Sequence, residues 1–286
     1  MKTLYISDLD GTLLNKNVEL SDFTVSTLNQ LIHQGVHFTV ATARTIASVS
    51  SIMAPVALNL PVILMNGVLV YDMPSRKYIN TKYLPTNNMA DILHILKDYN
   101  LTGFMYEVKD HKLATYYERL ETRALRDFHD ERVNRYQKPF TKVASFADAN
   151  PEHIIYFSLM DTKERLESAY EAIQGNSAIA TAFYKDIYST EDIWFLEVFS
   201  AAATKYNAAM YLRDTLGYDN VIGFGDNVND LPLFKACDIT CAVANAREEV
   251  KEAATHVIES NLSDGVPRWL MEHSLNNKGV LHGKIG

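Results

Sequence analysis

Short apolar runs alternate with helix-period patterns along the first third of the chain. Residues 4–6, 37–41 and 62–65 are apolar runs of strand length. Between the first two runs, Ser21 can cap a helix whose apolar positions recur every three or four residues. A second helical stretch lies around residues 46–53. Strands that alternate with helices in this way predict a parallel sheet with helices on both faces.

The pattern changes in the middle of the chain and later returns. Between residues 84 and 199, strand patterns combine with two helical patterns and a segment of mixed charge. The α/β pattern then resumes, with a helix behind Thr204 and a strand at residues 220–224. The sequence therefore predicts an α/β protein with a Rossmann-like parallel-sheet core, helices on both faces of that sheet, and an inserted α+β domain. The core would be discontinuous, formed by residues 1–83 and 200–286, and the insertion would be residues 84–199.

The composition limits the classes of function and the compartment. Of the 286 residues, 47% are hydrophobic and 22% are charged, which is typical of a soluble globular protein. The net charge of −8 argues against a nucleic-acid partner bound through the overall field. The best apolar stretch, residues 61–71, is too short to span a membrane, and Asp8 and Asp10 interrupt any signal-peptide core. Cys237 and Cys241 cannot form a disulfide framework for a chain of this length, so we expect buried thiols in a cytoplasmic protein.

Polar side chains follow each strand predicted for the core. In a parallel sheet the carboxyl ends of the strands lie at one edge, where open α/β proteins bind their ligands. We therefore expect carboxylates, a hydroxyl and amides to meet at one place. Taken alone, the pair of Asp8 and Asp10 is equally well explained as an Asx-rich turn that closes a strand. The residues at the predicted edge are Asp8, Asp10, Thr42, Asn66, Asp226, Asn229 and Asp230.

This combination of residue types favours phosphoryl transfer. Carboxylates gathered in one cleft repel each other unless a cation lies among them or one stays protonated. Hard oxygen ligands of this kind suit Mg²⁺, which binds a few carboxylates together with substrate phosphate. Lys205 stands at the start of a predicted helix, and a lysine at a helix N-terminus forms an anion site. Individually, Thr42, Asn229 and Lys205 are more simply explained as a strand-end hydroxyl, a turn amide and a solvated cation, and only the set favours a site.

Four motifs in this order resemble the haloacid dehalogenase (HAD) superfamily, in particular its Cof-type phosphatases with a large inserted cap. The resemblance covers essentially the whole chain, and its first and fourth motifs are the most specific. The subfamily usually has glycine where this chain has Ala43 and Tyr206, which bears on the substrate more than on the chemistry. The motifs are Asp8-Leu9-Asp10-Gly11-Thr12-Leu13, then Thr42 in Ala41-Thr42-Ala43-Arg44, then Lys205, then Gly225-Asp226-Asn227-Val228-Asn229-Asp230.

The resemblance implies Mg²⁺-dependent hydrolysis of small phosphate monoesters, such as sugar phosphates or phosphorylated cofactors, through an aspartyl-phosphate. It implies that Asp8 is the nucleophile and that Asp10 protonates the leaving oxygen and then takes a proton from water. The inserted domain would be a cap that lies over the site, excludes water and selects the leaving group. The implied metal ligands are Asp8, the backbone carbonyl of Asp10, Asp226 and Asp230, the last directly, through water or as a neighbour that orients Lys205. The implied phosphate-binding residues are Thr42, Asn66, Lys205 and Asn229, with Arg44 as a further candidate.

Two other functions stay open at the level of sequence. A phosphomutase would use the same aspartyl-phosphate to return the phosphoryl group to a sugar, and no feature of the sequence separates it from a hydrolase. A non-catalytic sensor or phospho-acceptor would need Asp8 but not Asp10, so the presence of both acids favours turnover. The partner implied is a small phosphorylated metabolite. The sequence names neither that metabolite, nor the cap residues that select it, nor the oligomeric state.

Overall fold

The structure is a computed structural model that describes residues 1–185 and 192–279, the last five of them by their backbone alone. The chain divides into a core unit, which consists of Met1–Arg76 and the chain from Thr204 on, and an inserted unit, Lys77–Ala203. The sequence places the same two divisions at residues 83/84 and 199/200. The final stretch of the predicted core, residues 280–286, lies outside the described residues.

Strands and helices alternate in the core unit except at β3 and β4, which follow each other, whereas the inserted unit is richer in strands. The predicted alternation before residue 66 is present, and the helix behind Thr204 begins and ends at the predicted residues. In chain order the elements are β1 (Thr3–Ser7), α1 (Asp22–His33), β2 (His37–Val40), α2 (Ile46–Ile52), β3 (Val62–Leu64), β4 (Leu69–Asp72), β5 (Lys77–Thr81), α3 (Met89–Asp98), β6 (Gly103–Lys109), β7 (Lys112–Tyr117), α4 (Arg123–Tyr136), β8 (Thr141–Lys142), β9 (Ile154–Asp161), α5 (Lys163–Gln174), β10 (Ile179–Lys185), β11 (Trp194–Ser200), α6 (Lys205–Leu216), β12 (Asn220–Gly225), α7 (Leu231–Lys235), β13 (Ile239–Val243), α8 (Glu248–Ala253), β14 (His256–Ile258) and α9 (Gly265–Gly279).

The core unit is built on a parallel sheet with the strand order β14-β13-β12-β1-β2. A parallel bridge from Ala41 to Ile63 continues the pairing from β2 to β3. The chain runs from β1 to β2 on one side and later returns to β12 on the other side of β1. The order of the strands therefore reverses at the centre of the sheet, and open α/β sheets bind ligands at such a point, outside the carboxyl ends of the strands.

Apolar side chains hold these strands and α6 together. The buried cluster beneath α6 contains Leu4 and Ile6 of β1, Val221 of β12, and Ala208 and Leu212 of α6. Burying an aliphatic side chain of this size contributes about 1.5–3 kcal/mol, so the packing fixes the start of α6 against the ends of β1 and β12.

The inserted unit contains a sheet with the order β10-β11-β9-β6-β7-β8, in which β7 and β8 pair in parallel and the other pairs are antiparallel. Helices α3 and α5 cover one of its faces through side chains such as Ile92, Leu96, Leu166 and Ile173. The predicted fold class, a parallel-sheet α/β core with an inserted α+β domain, is confirmed.

Cys237 and Cys241 are free thiols. Within residues 1–185 and 192–279, no helix combines the length and the apolar character needed to cross a bilayer.

Candidate active site

The ends of the core strands place acidic and hydroxyl side chains at one edge. Asp8 and Asp226 each come one residue after the end of a strand of the core sheet, and Thr42 comes one residue after the bridged Ala41. The Asp8 N–H donates to the Phe224 carbonyl over 3.0 Å, and the Thr42 N–H donates to the Ile63 carbonyl over 3.0 Å. These bonds continue the pairing of the strands by one residue, so the backbone that carries the two side chains is fixed.

A buried ion cluster lies at this edge. Lys205 Nζ donates to Asp8 Oδ1 over 2.6 Å and to Asp230 Oδ1 over 2.7 Å. The side chains of Lys205 and Asp230 are fully buried, and that of Asp8 is 8% exposed. Lys205 is the first residue of α6, and Thr204 caps this helix by accepting a hydrogen bond from the Asn207 N–H. The fold therefore joins three charged residues from three distant segments in one buried place.

Asp226 completes a group of carboxylates that could hold a metal ion. Asp8, Asp226 and Asp230 each offer a carboxylate oxygen, and these oxygens lie within 4.8 Å of one another. Asp230 Oδ2 accepts hydrogen bonds from the N–H groups of Asp226, over 3.0 Å, and Asn227, over 3.1 Å, which fixes the turn that presents Asp226. The sequence assigns Asp10 to the metal through its backbone carbonyl, and that assignment stays a prediction.

Burial, with a smaller contribution from mutual repulsion, raises the pKa values of two of these carboxylates. Burial raises the pKa of Asp8 well above its usual value, and the charge of Asp230 adds to this while Lys205 opposes it. Burial also raises the pKa of Asp226 to about 6, although the Thr12 hydroxyl favours the ionised form. Burial by itself would lower the pKa of Lys205, but the charges of Asp230 and Asp8 outweigh it and raise that pKa. Carboxylates that resist ionisation beside a firmly protonated lysine fit a site that takes a further cation.

Asp10 forms a second ion pair, with Arg44. Arg44 Nε donates to Asp10 Oδ2 and Nη2 donates to Asp10 Oδ1, each over 2.7 Å. The two side chains are 21% and 34% exposed, so Asp10 is more accessible than Asp8. Two acids that stand two positions apart in the sequence thus have different surroundings, one buried against a lysine and the other open and held by a guanidinium.

The predicted phosphate-binding amides lie together beside Thr42. Asn229 Nδ2 donates to Asn66 Oδ1 over 3.3 Å, and the Asn66 N–H donates to the Thr42 carbonyl over 3.0 Å. Asn66 has a φ of 54°, and Gly67 follows with a φ of 101°. A Cβ at Gly67 would lie 2.2 Å from the Thr204 carbonyl oxygen, so glycine is required where this turn meets the start of α6. The turn therefore brings Asn66 to the helix that begins with Lys205.

Three residues outside the predicted catalytic, metal-binding and phosphate-binding sets shape the site. The Thr12 hydroxyl donates to Asp226 Oδ1 over 2.7 Å, and Asn245 Nδ2 donates to the Gly11 carbonyl over 2.8 Å. Gly11 has a φ of 78°, and a Cβ there would lie 2.4 Å from Asp226 Oδ2. Gly11 and Thr12 belong to the first motif, which signals their importance, whereas no local pattern singles out Asn245.

The two positions that depart from the family pattern lie outside the buried ion cluster. Ala43 is exposed, and Tyr206, next to Lys205, is 39% exposed. The side chains at these two positions therefore form no part of the buried ion cluster.

Comparison with known proteins identifies the family. The chain matches the model of the haloacid dehalogenase-like hydrolases over residues 5–270, and it belongs to this family. It is 25% identical over 275 residues to the pyridoxal phosphate phosphatase YbhA of Escherichia coli (strain K12), an alignment that covers 93% of this chain and 96% of that protein. It is 26% identical over 296 residues to the 5-amino-6-(5-phospho-D-ribitylamino)uracil phosphatase YwtE of Bacillus subtilis (strain 168), covering 94% of this chain and 97% of that protein.

A solved structure has the same fold. A crystal structure of a haloacid dehalogenase-like hydrolase from Bacteroides thetaiotaomicron superimposes with a TM-score of 0.78 at 20% identity, covering 95% of this chain and 99% of that chain. The resemblance inferred from the four motifs is confirmed, and the chain is an enzyme, a HAD-like phosphatase.

Proposed function

We propose that this protein hydrolyses small phosphate monoesters with the help of Mg²⁺ and through an aspartyl-phosphate on Asp8. The buried cluster of Lys205 with Asp8 and Asp230 carries the proposal. The Asp8 carboxylate and a phosphate dianion are both negative and repel each other, so the attack requires positive charge at the site. Lys205 Nζ, 2.6 Å from Asp8 Oδ1, supplies part of that positive charge. In this proposal the core unit is the catalytic domain and the inserted unit is the cap.

The reaction proceeds in two displacements at phosphorus. An Asp8 oxygen attacks phosphorus, the bond from phosphorus to the leaving oxygen breaks, and Asp10 gives its proton to that oxygen. Water then attacks the phosphorus of the aspartyl-phosphate while Asp10 takes a proton from the water. The bond from phosphorus to Asp8 breaks, and inorganic phosphate and the Asp8 carboxylate are restored. The greater exposure of Asp10 suits a group that exchanges protons with both a leaving group and water.

A divalent cation fits the residues present. Within the described residues of this cluster, Lys205 pairs with Asp8 and Asp230 and Arg44 pairs with Asp10, while Asp226 accepts a hydrogen bond from the Thr12 hydroxyl. When all four carboxylates are ionised they exceed the two cations by two negative charges, and the donors are hard oxygens of the kind Mg²⁺ prefers. Asp8, Asp226, the backbone carbonyl of Asp10 and Asp230, directly or through water, would hold the ion. When bound, the ion would neutralise charge on the transferring phosphoryl group.

The phosphoryl oxygens would be bound by Lys205, Thr42 and the amides of Asn229 and Asn66. The contact between Asn229 and Asn66 and the bond from Asn66 to Thr42 support this assignment, since they link these groups beside the carboxylate cluster. Amide and hydroxyl groups donate hydrogen bonds without adding charge, so they select the tetrahedral phosphate and leave neutralisation to the cations.

The names of two relatives support the proposed substrate class. The names of the two curated relatives give pyridoxal phosphate and a phosphorylated ribitylaminouracil as their substrates. Both are small phosphorylated metabolites, and we assign a substrate of this size and chemistry to the present chain.

A panel of phosphorylated metabolites, assayed for phosphate release, tests the proposal. We expect Mg²⁺ to stimulate release from at least one ester by about 10-fold or more, a chelator to remove the activity and added Mg²⁺ to restore it. Mg²⁺ should also raise the thermal midpoint of the core unit, followed by the fluorescence of Trp269, because an ion that binds only the folded state stabilises it. Ester binding without Mg²⁺-stimulated release would support the sensor, and a requirement for a bisphosphate activator would support the phosphomutase.

Replacing Asp10 tests the acid role. For Asp10→Asn we expect kcat/KM to fall by about 10²-fold or more for alkyl phosphates and far less for 4-nitrophenyl phosphate, because a good leaving group departs without a proton. The measurement is the dependence of kcat/KM on the pKa of the leaving alcohol. Equal slowing of good and poor leaving groups would contradict the role of Asp10 as acid.

A further inference from the structure

Arg44 holds both oxygens of the Asp10 carboxylate. Two different nitrogens of one guanidinium donate to two different oxygens, each over 2.7 Å. A two-point contact with a planar group fixes the plane and the direction of a carboxylate as well as its distance. Each carboxylate oxygen has about two lone-pair sites, so this contact still leaves one site on each oxygen for proton transfer. Arg44 can therefore orient Asp10 without blocking it.

The backbone of Arg44 is itself fixed. Its N–H donates to Thr42 Oγ1 over 3.2 Å, and its carbonyl accepts a hydrogen bond from the Met65 N–H over 3.1 Å. Thr42 and the turn behind Met65 carry the groups assigned above to the phosphoryl oxygens. The Arg44 side chain thus extends to Asp10 from a backbone that is hydrogen-bonded to the segments carrying the phosphate-binding residues.

Asp10 has a physical need for such support. It precedes Gly11, whose φ of 78° permits the sharp turn, and its charge is close enough to Asp226 for the two carboxylates to repel. Repulsion of this kind turns an exposed acid away from the cluster unless a cation on the other side holds it. Arg44 is the cation that holds Asp10, through its Nε and Nη2 groups.

We propose that Arg44 is a positioning residue, which holds the Asp10 carboxylate in the direction required for proton transfer to the leaving oxygen and, in the second step, from water. This inference rests on the proposed function, in which Asp10 is the acid and base. Arg44 then acts on the step that moves a proton and contributes little to the binding of the phosphoryl group. Lysine cannot replace it fully, because an ammonium is a point charge and lacks the planar fork.

The variants Arg44→Met and Arg44→Lys test this role with Mg²⁺ and two esters, an alkyl phosphate and 4-nitrophenyl phosphate. We expect Arg44→Met to lower kcat/KM by about 10- to 100-fold for the alkyl ester and by less than about 3-fold for the nitrophenyl ester. The inhibition constant of inorganic phosphate should change by less than about 2-fold, and Arg44→Lys should fall between wild type and Arg44→Met. Arg213→Met is the matched control, since Arg213 is 27% exposed in the same unit and pairs with Asp238 over 3.5 Å outside the site.

The double variant with Asp10→Asn separates action through Asp10 from direct action. If Arg44 acts through Asp10, Arg44→Met causes no further loss once Asp10 is Asn. Three results would each overturn the inference. The losses from Arg44→Met and Asp10→Asn could be additive in the double variant, Arg44→Met could slow both esters equally, or it could raise the inhibition constant of phosphate by the same factor by which it lowers kcat/KM. If the inference about Arg44 fails, the wild-type protein still shows Mg²⁺-stimulated turnover. If the proposed function fails, the wild-type protein itself shows no such turnover.

Discussion

Asp8→Asn is expected to lower phosphate release by at least about 10⁴-fold, because an amide cannot form the acyl phosphate that splits the reaction into two steps. The measurement is kcat for 4-nitrophenyl phosphate at saturating Mg²⁺. Asp214→Asn is the matched control, since Asp214 is an exposed residue of α6 and the same chemical change there should leave kcat unaltered.

The same substitution should scarcely affect folding. Burial raises the pKa of Asp8, so the folded protein without metal already disfavours its charge, and Asn is a neutral side chain of nearly the same shape. Lys205 keeps Asp230 as its partner. We therefore expect the free energy of unfolding without Mg²⁺ to change by less than about 1 kcal/mol. Measurable turnover by a folded Asp8→Asn protein would contradict covalent catalysis at this residue.

Lys205→Met should cost both stability and activity. Removing the lysine leaves the fully buried Asp230 without its cation and Asp8 without its hydrogen-bond donor, and breaking a buried ion pair in this way typically costs about 3–5 kcal/mol. Without Lys205 the folded-state pKa of Asp8 rises further, since the lysine lowers it in the wild type. Below the folded-state pKa of Asp8 in the wild type, this carboxyl is neutral in both folded proteins, so the part of the loss due to Asp8 should shrink as the pH is lowered from 7 through that raised pKa.

Lys138 provides a control, because it is also a buried lysine but its pKa is shifted in the direction opposite to that of Lys205. It is a buried lysine of the inserted unit whose Nζ lies 3.3 Å from the Tyr106 hydroxyl, and burial lowers its pKa to about 7. A lysine whose pKa is lowered by folding reduces stability below its unfolded-state pKa, and its removal relieves that cost. We therefore expect Lys138→Met to leave the stability at pH 7 unchanged or higher.

The two tryptophans separate the two unfolding reactions. Trp269 lies in α9 of the core unit and Trp194 in β11 of the inserted unit, so Trp→Phe variants leave one reporter in each unit. Urea unfolding between pH 5 and 8, followed by Trp269 for Lys205→Met and by Trp194 for Lys138→Met, measures both effects. Equal losses at the two lysines would show that burial alone, and not the pairing with Asp8 and Asp230, sets the stability contribution of Lys205.

Local chemistry explains why much of the framework could be predicted. Ser21 and Thr204 cap α1 and α6 through their hydroxyls, and Gly217 ends α6 with a φ of 66°. These signals act over a few residues, so a single sequence carries them in full. The hairpin of β3 and β4 was missed, because its turn depends on successive left-handed residues, among them Asn66, within an apolar run.

The sequence by itself determined the alternation of strands and helices, the residues that stand behind the strands, and hence which acids, amides and hydroxyl gather at one edge. Only the tertiary structure decided how these groups pair. Lys205 contacts Asp8 across 197 positions of the chain, Thr12 contacts Asp226 across 214, and Arg44 takes both oxygens of Asp10. Such contacts depend on how β1, β12 and α6 pack side by side, and no local preference of the chain encodes the distance between atoms that meet only after the sheet has formed.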